Sequence, residues 1–123
     1  VITDSHFVPR DRMGRTLAFL ARQIQDGQAQ TAWSVAVNEV TSVVIDDAGL
    51  ATVMGDGPAY FIHADHAVGT FAGEVVAPRT PLTYKGYKVW RVPTGGTFDL
   101  ANRPTTGFYS VDVVNGAITS NPY

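Results

Sequence analysis

"TAWSVAVNEVTSVVIDDAGLATVMGDGPAYFIH", residues 31–63, decides the fold class, because its periodicity is that of strands and its breaks are those of tight turns. Val, Ile, Thr and aromatic residues dominate "WSVAV" (33–37), "TSVVID" (41–46), "LATVMG" (50–55) and "AYFIH" (59–63). Such side chains fit a pleated, half-buried surface. Asn38-Glu39 interrupts the first two runs, while Asp46-Asp47-Ala48-Gly49 and Asp56-Gly57-Pro58 read as turns. Three or four strands joined by short connections follow from this stretch.

Upstream the period changes. Between Asp11 and about Gln25, Met13, Leu17, Leu20 and Ile24 fall at i, i+4, i+7 and i+11. That is one apolar stripe at helical spacing, with the arginines and Gln23 off it. Pro9 suits a first helical turn, where its missing N–H is not needed. Asp26-Gly27 supplies the C-terminal stop. Val1-Ile2-Thr3 is a short β-prone stretch. From roughly Ala64 the texture shifts to Gly, Thr, Pro and Asn, and "GEVVAP" (73–78), "YKVWRVP" (87–93), "GTFDL" (96–100) and "GFYSVDVVNGAITS" (107–120) read as short strands. Asn115-Gly116 is a hairpin signal. This tail either completes the same sheet or forms a small flap of its own. One helix among many strands makes the chain α/β.

A length of 123 residues suffices for one domain with one core. A net charge of −2 argues against a nucleic-acid or anionic-membrane surface. The absence of cysteine rules out disulfides, thiolate metal sites and a cysteine nucleophile. No apolar run approaches the roughly 20 residues of a membrane span, and no signal-peptide pattern is visible. The first residue, Val1, is compatible with a processed product, and the Lys-poor, Thr/Asn/Gly-rich tail points to an exported protein, periplasmic or extracellular.

The chemistry concentrates in "TDSHFVPRDRMGR", residues 3–15. Arg10, Arg12 and Arg15 surround a helix N-terminus, where the aligned peptide dipoles disfavour cations. An acidic side chain, a carboxylate ligand or solvent must offset them. His6 is the candidate base, since an imidazole titrates near neutrality. Asp4 lies two residues earlier, so on an extended backbone it points the same way, either orienting the imidazole or pairing with an arginine. Glu39 breaks an apolar strand pair, with Thr41 following at strand spacing; it is either a solvated strand end or a buried acid with a partner. His63, Asp65 and His66 in "HADH" read as loop residues matching no fixed ligand geometry, so no metal or other cofactor is expected. No G-x-S-x-G occurs. If His6 is a base for an alcohol, that alcohol comes from another polypeptide.

"DSHFVPRDRMGR" (4–15) resembles the D-Q-H-F-x-x-R-x-R-x-x-R segment of the cyanophycinase-like serine peptidases, with Asp4, His6, Phe7, Arg10, Arg12 and Arg15 in register. "VAVNEVTSVVIDDAGLATVMGDGPAYFI" (35–62) is similar to that family's G-I-D-E-x-T-A stretch and the strands after it, with Asn38-Glu39 at the Asp-Glu pair and Thr41 at the threonine. Ser5 stands where the family has glutamine, and Asn38 where it has an acid. "PLTYKGYKVWRVPTGGTFDL" (81–100) is similar to C-terminal extensions of longer relatives.

The resemblance implies the C-terminal portion of a class I glutamine amidotransferase-like, flavodoxin-like three-layer fold. Residues 1–62 would be the base-bearing half of the catalytic domain and 63–123 a β-rich extension packed on it. It implies a serine exopeptidase for aspartyl and isoaspartyl bonds of the β-Asp-Arg type. His6 would be the general base, Asp4, Ser5, Arg10, Arg12 and Arg15 would bind the substrate's aspartyl carboxylates, and Glu39 and Thr41 would support the polar network. The nucleophilic serine would come from a separate N-terminal chain of the same precursor, and a homodimer of the two-chain unit is compatible with this. An inactive relative that binds acidic peptides or serves as a structural subunit is the alternative. A free-standing β-rich module, whose arginines only balance surface acids, is a third.

Overall fold

The computed structural model describes residues 1–65 and 73–123. The apolar stripe becomes α1 (Met13–Gln25), and the β-prone runs become β1 (Ile2–Asp4), β2 (Thr31–Val37), β3 (Thr41–Ile45), β4 (Leu50–Gly55), β5 (Ala59–Asp65), β6 (Tyr84–Val92), β7 (Thr97–Asp99), β8 (Tyr109–Val114) and β9 (Ala117–Ile118). The chain is an α/β fold dominated by a mixed sheet of order β1-β2-β5-β6-β8-β9, with a smaller sheet β3-β4-β7. Among the described residues only β1 and β2 run parallel, placing Asp4 opposite Ala36; the other pairs are antiparallel.

Alternation along the central strands sorts the side chains into two cores, since successive residues face opposite sides of a sheet. Ala32 and Ala36 of β2, Tyr60, Ile62 and Ala64 of β5, and Tyr87 and Val89 of β6 pack with Leu17, Leu20 and Ile24 of α1. Small residues on β2 let the helix approach closely. On the opposite face Val35, Phe61, Trp90 and Val92 meet Ala51, Val53 and Phe98 of the small sheet. The result is three layers: helix, large sheet, small sheet.

Of the two arrangements left open for the tail, the strands join existing sheets. β6, β8 and β9 extend the large sheet, and β7 joins the small one. The register between β6 and β8 shifts between Tyr84 and Tyr87. Gly86 sits there at φ 82° and donates its N–H to Asp112 Oδ1 at 2.9 Å. This bulge puts two tyrosines three positions apart on one face. The expected Asn115-Gly116 hairpin forms, both residues at positive φ (50° and 82°), as a type I′ turn requires.

Three local expectations need correction. "GEVVAP" is not a strand: only Val75 bridges, to Thr83, and Pro78 has no N–H to extend the ladder. Pro9 does not open the helix, which starts at Met13; residues 6–12 form turns closed by Arg10 N–H to His6 O and Arg12 N–H to Phe7 O. His63, read both as the end of the "AYFIH" strand and as a loop residue, lies inside β5, 2 % exposed, so the loop reading fails. His66 lies outside the described residues. No helix among the described residues is long and apolar enough to cross a membrane.

Candidate functional site

The parallel strand β1 ends at Asp4, and the chain must then turn to enter α1. Phe7 anchors this turn: its ring is fully buried against Tyr60 and Tyr123, and its N–H donates to Val37 O at 3.2 Å. Val8 N–H donates to Asn38 Oδ1 at 2.8 Å. From the far side of the fold, the Tyr123 hydroxyl accepts from Met13 N–H at 3.0 Å and donates to Asp11 Oδ1 at 2.8 Å. The turn between the strand and the helix is thus tied to β2, to the following loop and to the last described residues.

On that turn His6 has φ 49°, and its side chain is 39 % exposed. Its Nδ1 lies 4.0 Å from Glu39 Oε2. Val40, next to Glu39, has φ 57°. A β-branched residue in the left-handed region is a true outlier, and such strain gathers where a site must be held in one arrangement. His6 thus sits on left-handed backbone and Glu39 directly precedes such a residue.

Beside it, Asp4 answers the question posed by the arginines. Its carboxylate side chain is 5 % exposed. Oδ1 accepts from Arg12 Nη1 at 3.4 Å and from Ser5 N–H at 2.9 Å; Oδ2 accepts from Arg15 Nε at 3.0 Å and Thr16 Oγ1 at 2.8 Å. Arg15 Nη2 completes a two-pronged grip on the same carboxylate. Arg12 Nη1 also donates to Ser5 O at 2.7 Å, fixing the peptide that precedes His6. Burial raises the Asp4 pKa, but hydrogen bonds from Arg15, Thr16 and the Ser5 amide, with the Arg15 charge, outweigh it, so the carboxyl titrates below its ordinary value. The helix N-terminus, which carries no acidic residue in its first turn, gains its negative neighbour in this way.

Thr3, Asp4, Ser5, Arg12, Arg15 and Val37 line a cleft of about 380 Å³. Two guanidiniums face one carboxylate there, leaving a positive surplus. Each guanidinium carries five N–H donors, more than Asp4 engages, so the cleft suits a second carboxylate. Of the residues singled out by sequence, the structure gathers Asp4, Ser5, Arg12 and Arg15 around the cleft and pairs His6 with Glu39. Arg10 is exposed and outside the cleft lining. Thr41 turns away, donating to Asp56 O at 2.8 Å to close the connection between β4 and β5. Sequence reasoning missed Asn38, Thr16 and Tyr123 as supports. An amide just past a strand end was the available signal for Asn38. Among the described residues, no group of three or more His, Cys, Asp or Glu side chains is placed to hold a metal ion.

The Asp4 network has a testable acid signature. A carboxyl whose pKa is lowered by folding stabilises fully above its unfolded value, near 3.9, and that stabilisation fades as pH falls through the folded value. Asp4→Asn should lower stability at neutral pH by about 1–3 kcal/mol, the range for losing hydrogen bonds to a charged group, and flatten the acid limb. Thermal melts from about pH 7 to 2.5 check this; parallel acid limbs for both proteins would refute it.

Comparison of the chain with family models, with curated proteins and with solved structures gives no match.

Proposed function

We propose that the chain is the base-bearing part of a cyanophycinase-like serine peptidase, completing a flavodoxin-like domain with an N-terminal chain that carries the nucleophilic serine. The observation that carries this reading is the His6–Glu39 pair at the C-terminal end of the one parallel strand, beside a cleft with surplus positive charge. Ligand sites in open α/β sheets lie outside the carboxyl ends of parallel strands. With Nδ1 facing Glu39, the imidazole leaves Nε2 to take a proton from an alcohol and return it to a leaving amine. The Arg12 and Arg15 donors left over by Asp4, with exposed Arg10 nearby in sequence, hold the aspartyl carboxylate of the substrate.

In this reading the partner docks on the sheet edge. Among the described residues β1 is the outermost strand of the large sheet, and beside it a groove of about 200 Å³ is lined by Val1, Val35, Val37, Val43 and Ile45, with Thr3 and Asp4. An unpaired strand edge next to apolar side chains is the setting for strand addition. The engagement of Arg12 and Arg15 by Asp4 favours the second reading, an inactive relative in which these arginines are purely structural.

One assay separates the two. The assembly, with its serine-bearing chain, is incubated with β-Asp-Arg, α-aspartyl dipeptides and the matching alanyl dipeptides. Selective hydrolysis of the aspartyl series is the expected result. Binding of the aspartyl peptides without hydrolysis would overturn the enzyme in favour of the inactive relative.

A further inference from the structure

A second titratable group lies at the opposite end of β2 from Asn38 and Glu39, where no part of the proposed chemistry uses it. His63 of β5 is 2 % exposed, its ring centred 4.5 Å from that of Trp33 on β2. Arg103 Nη1 stands 3.0 Å from each of its ring nitrogens. A guanidinium has donors only. An atom equally near both ring nitrogens lies over the ring face, where a guanidinium is attracted to a neutral ring and repelled by an imidazolium.

Arg103 belongs to the segment between β7 and β8, residues 100–108, which pairs with no strand. That segment covers the aromatic cluster of the small-sheet side. Leu100 and Phe108 pack on the cluster, Phe108 against Trp90 at 5.5 Å between centroids. Trp90 Nε1 donates to Thr106 O at 2.9 Å. Residues 101, 102 and 105–107 are exposed; Asn102 bonds only back to Asp99, its N–H donating to Oδ1 at 2.9 Å, so Arg103, against His63 and 3.9 Å from Asp65 Oδ2, and Thr106 hold the middle of the segment to the large sheet.

We propose that Arg103 and His63 form an acid-released clasp, closed while the imidazole is neutral and opened when it gains a proton, which frees the 100–108 segment from the Trp33–Trp90–Phe98 cluster. The groups facing His63 agree. Among the described residues, Arg103 from the segment and Lys88 from β6 oppose its protonation, while Asp65 from β5 favours it. Burial adds to the opposing side and is the largest influence, and the balance takes the ring down to about 4. Protonation places a second cation against the Arg103 guanidinium, whose Nη1 also lies 3.9 Å from Asp65 Oδ2 on β5, and the largely exposed segment carries Arg103 away from the charged ring.

The test uses the intact protein. Ring proton resonances of His63 are followed from pH 7 downwards together with amide exchange across 103–107, corrected for the intrinsic pH dependence of exchange. The expected result is a midpoint well below the ordinary imidazole value near 6.5, with protection of 103–107 falling on the order of tenfold across it while β5 and β6 stay protected. His63→Gln, a neutral acceptor at every pH, should erase the step. Arg103→Gln should move the His63 midpoint upward, and this second variant serves if the first does not fold. A midpoint near 6.5, exchange indifferent to the titration, or a step that survives His63→Gln would each overturn the clasp.

Discussion

Replacing His6 by alanine is expected to lower turnover of aspartyl peptides by roughly two to four orders of magnitude, the contribution of a positioned general base. The thermal stability should change little, because the ring is substantially exposed and belongs to neither core. Alanine at φ 49° adds some backbone strain of its own, so His6→Asn is the matched control. Asparagine tolerates the left-handed region yet supplies no base. Equal losses in both variants assign the effect to the imidazole; turnover within a few-fold of the unmodified assembly would retire His6 as the base. Glu39→Gln should cost less, roughly tenfold to a hundredfold, because an acid that is 75 % exposed acts through solvent-screened charge. That loss should appear in kcat and in the acid limb of its pH profile, not in KM.

Phe7→Ala should be the most destabilising change around the site. Its ring is fully buried, 5.4 Å from Tyr60 and 5.7 Å from Tyr123 between centroids. Deleting a buried aromatic side chain costs about 3–5 kcal/mol through lost transfer energy and the cavity left behind. For a chain of this size the midpoint of thermal unfolding should fall by roughly 10–20 °C. The same change should loosen His6, since Phe7 anchors the turn to β2 through its N–H and to Tyr60 of β5 and Tyr123 through its ring. Phe7→Leu, which keeps most of the volume, should recover most of both losses. A drop below about 1 kcal/mol for Phe7→Ala would show that the hydrogen bonds of Val8 and Arg12 hold the turn without it.

The elements that could be read from sequence are those whose signal is local. The Met13-Leu17-Leu20-Ile24 stripe has a helical period, and all four side chains are buried. The strands in 31–63 are legible because turn chemistry brackets them; Asp46 Oδ1 accepts from the N–H groups of Ala48 and Leu50 and closes the β3–β4 turn as an aspartate does. What was hidden depends on distant partners. β5 is buried on both faces, so "AYFIHA" shows no alternation from which to assign layers, and His63 within it looks like any loop histidine. The parallel pairing of β1 with β2 has no local signature at all. At the site, the proximity of His6 and Glu39 joins residues 33 positions apart. The choice of Asp4 between orienting an imidazole and pairing arginines was settled only by where α1 places Arg15 and Thr16.

Tyr123 reaches Met13 across 110 positions of chain and Asp11 across 112. The turn bearing His6 thus receives two of its tethers from a residue translated more than a hundred positions later. A ribosome-bound fragment stopped before Tyr123 lacks those tethers, and closing a loop of that length carries an entropic penalty of its own. The His6 turn is therefore timed: its hydroxyl tether can form only once Tyr123 has emerged.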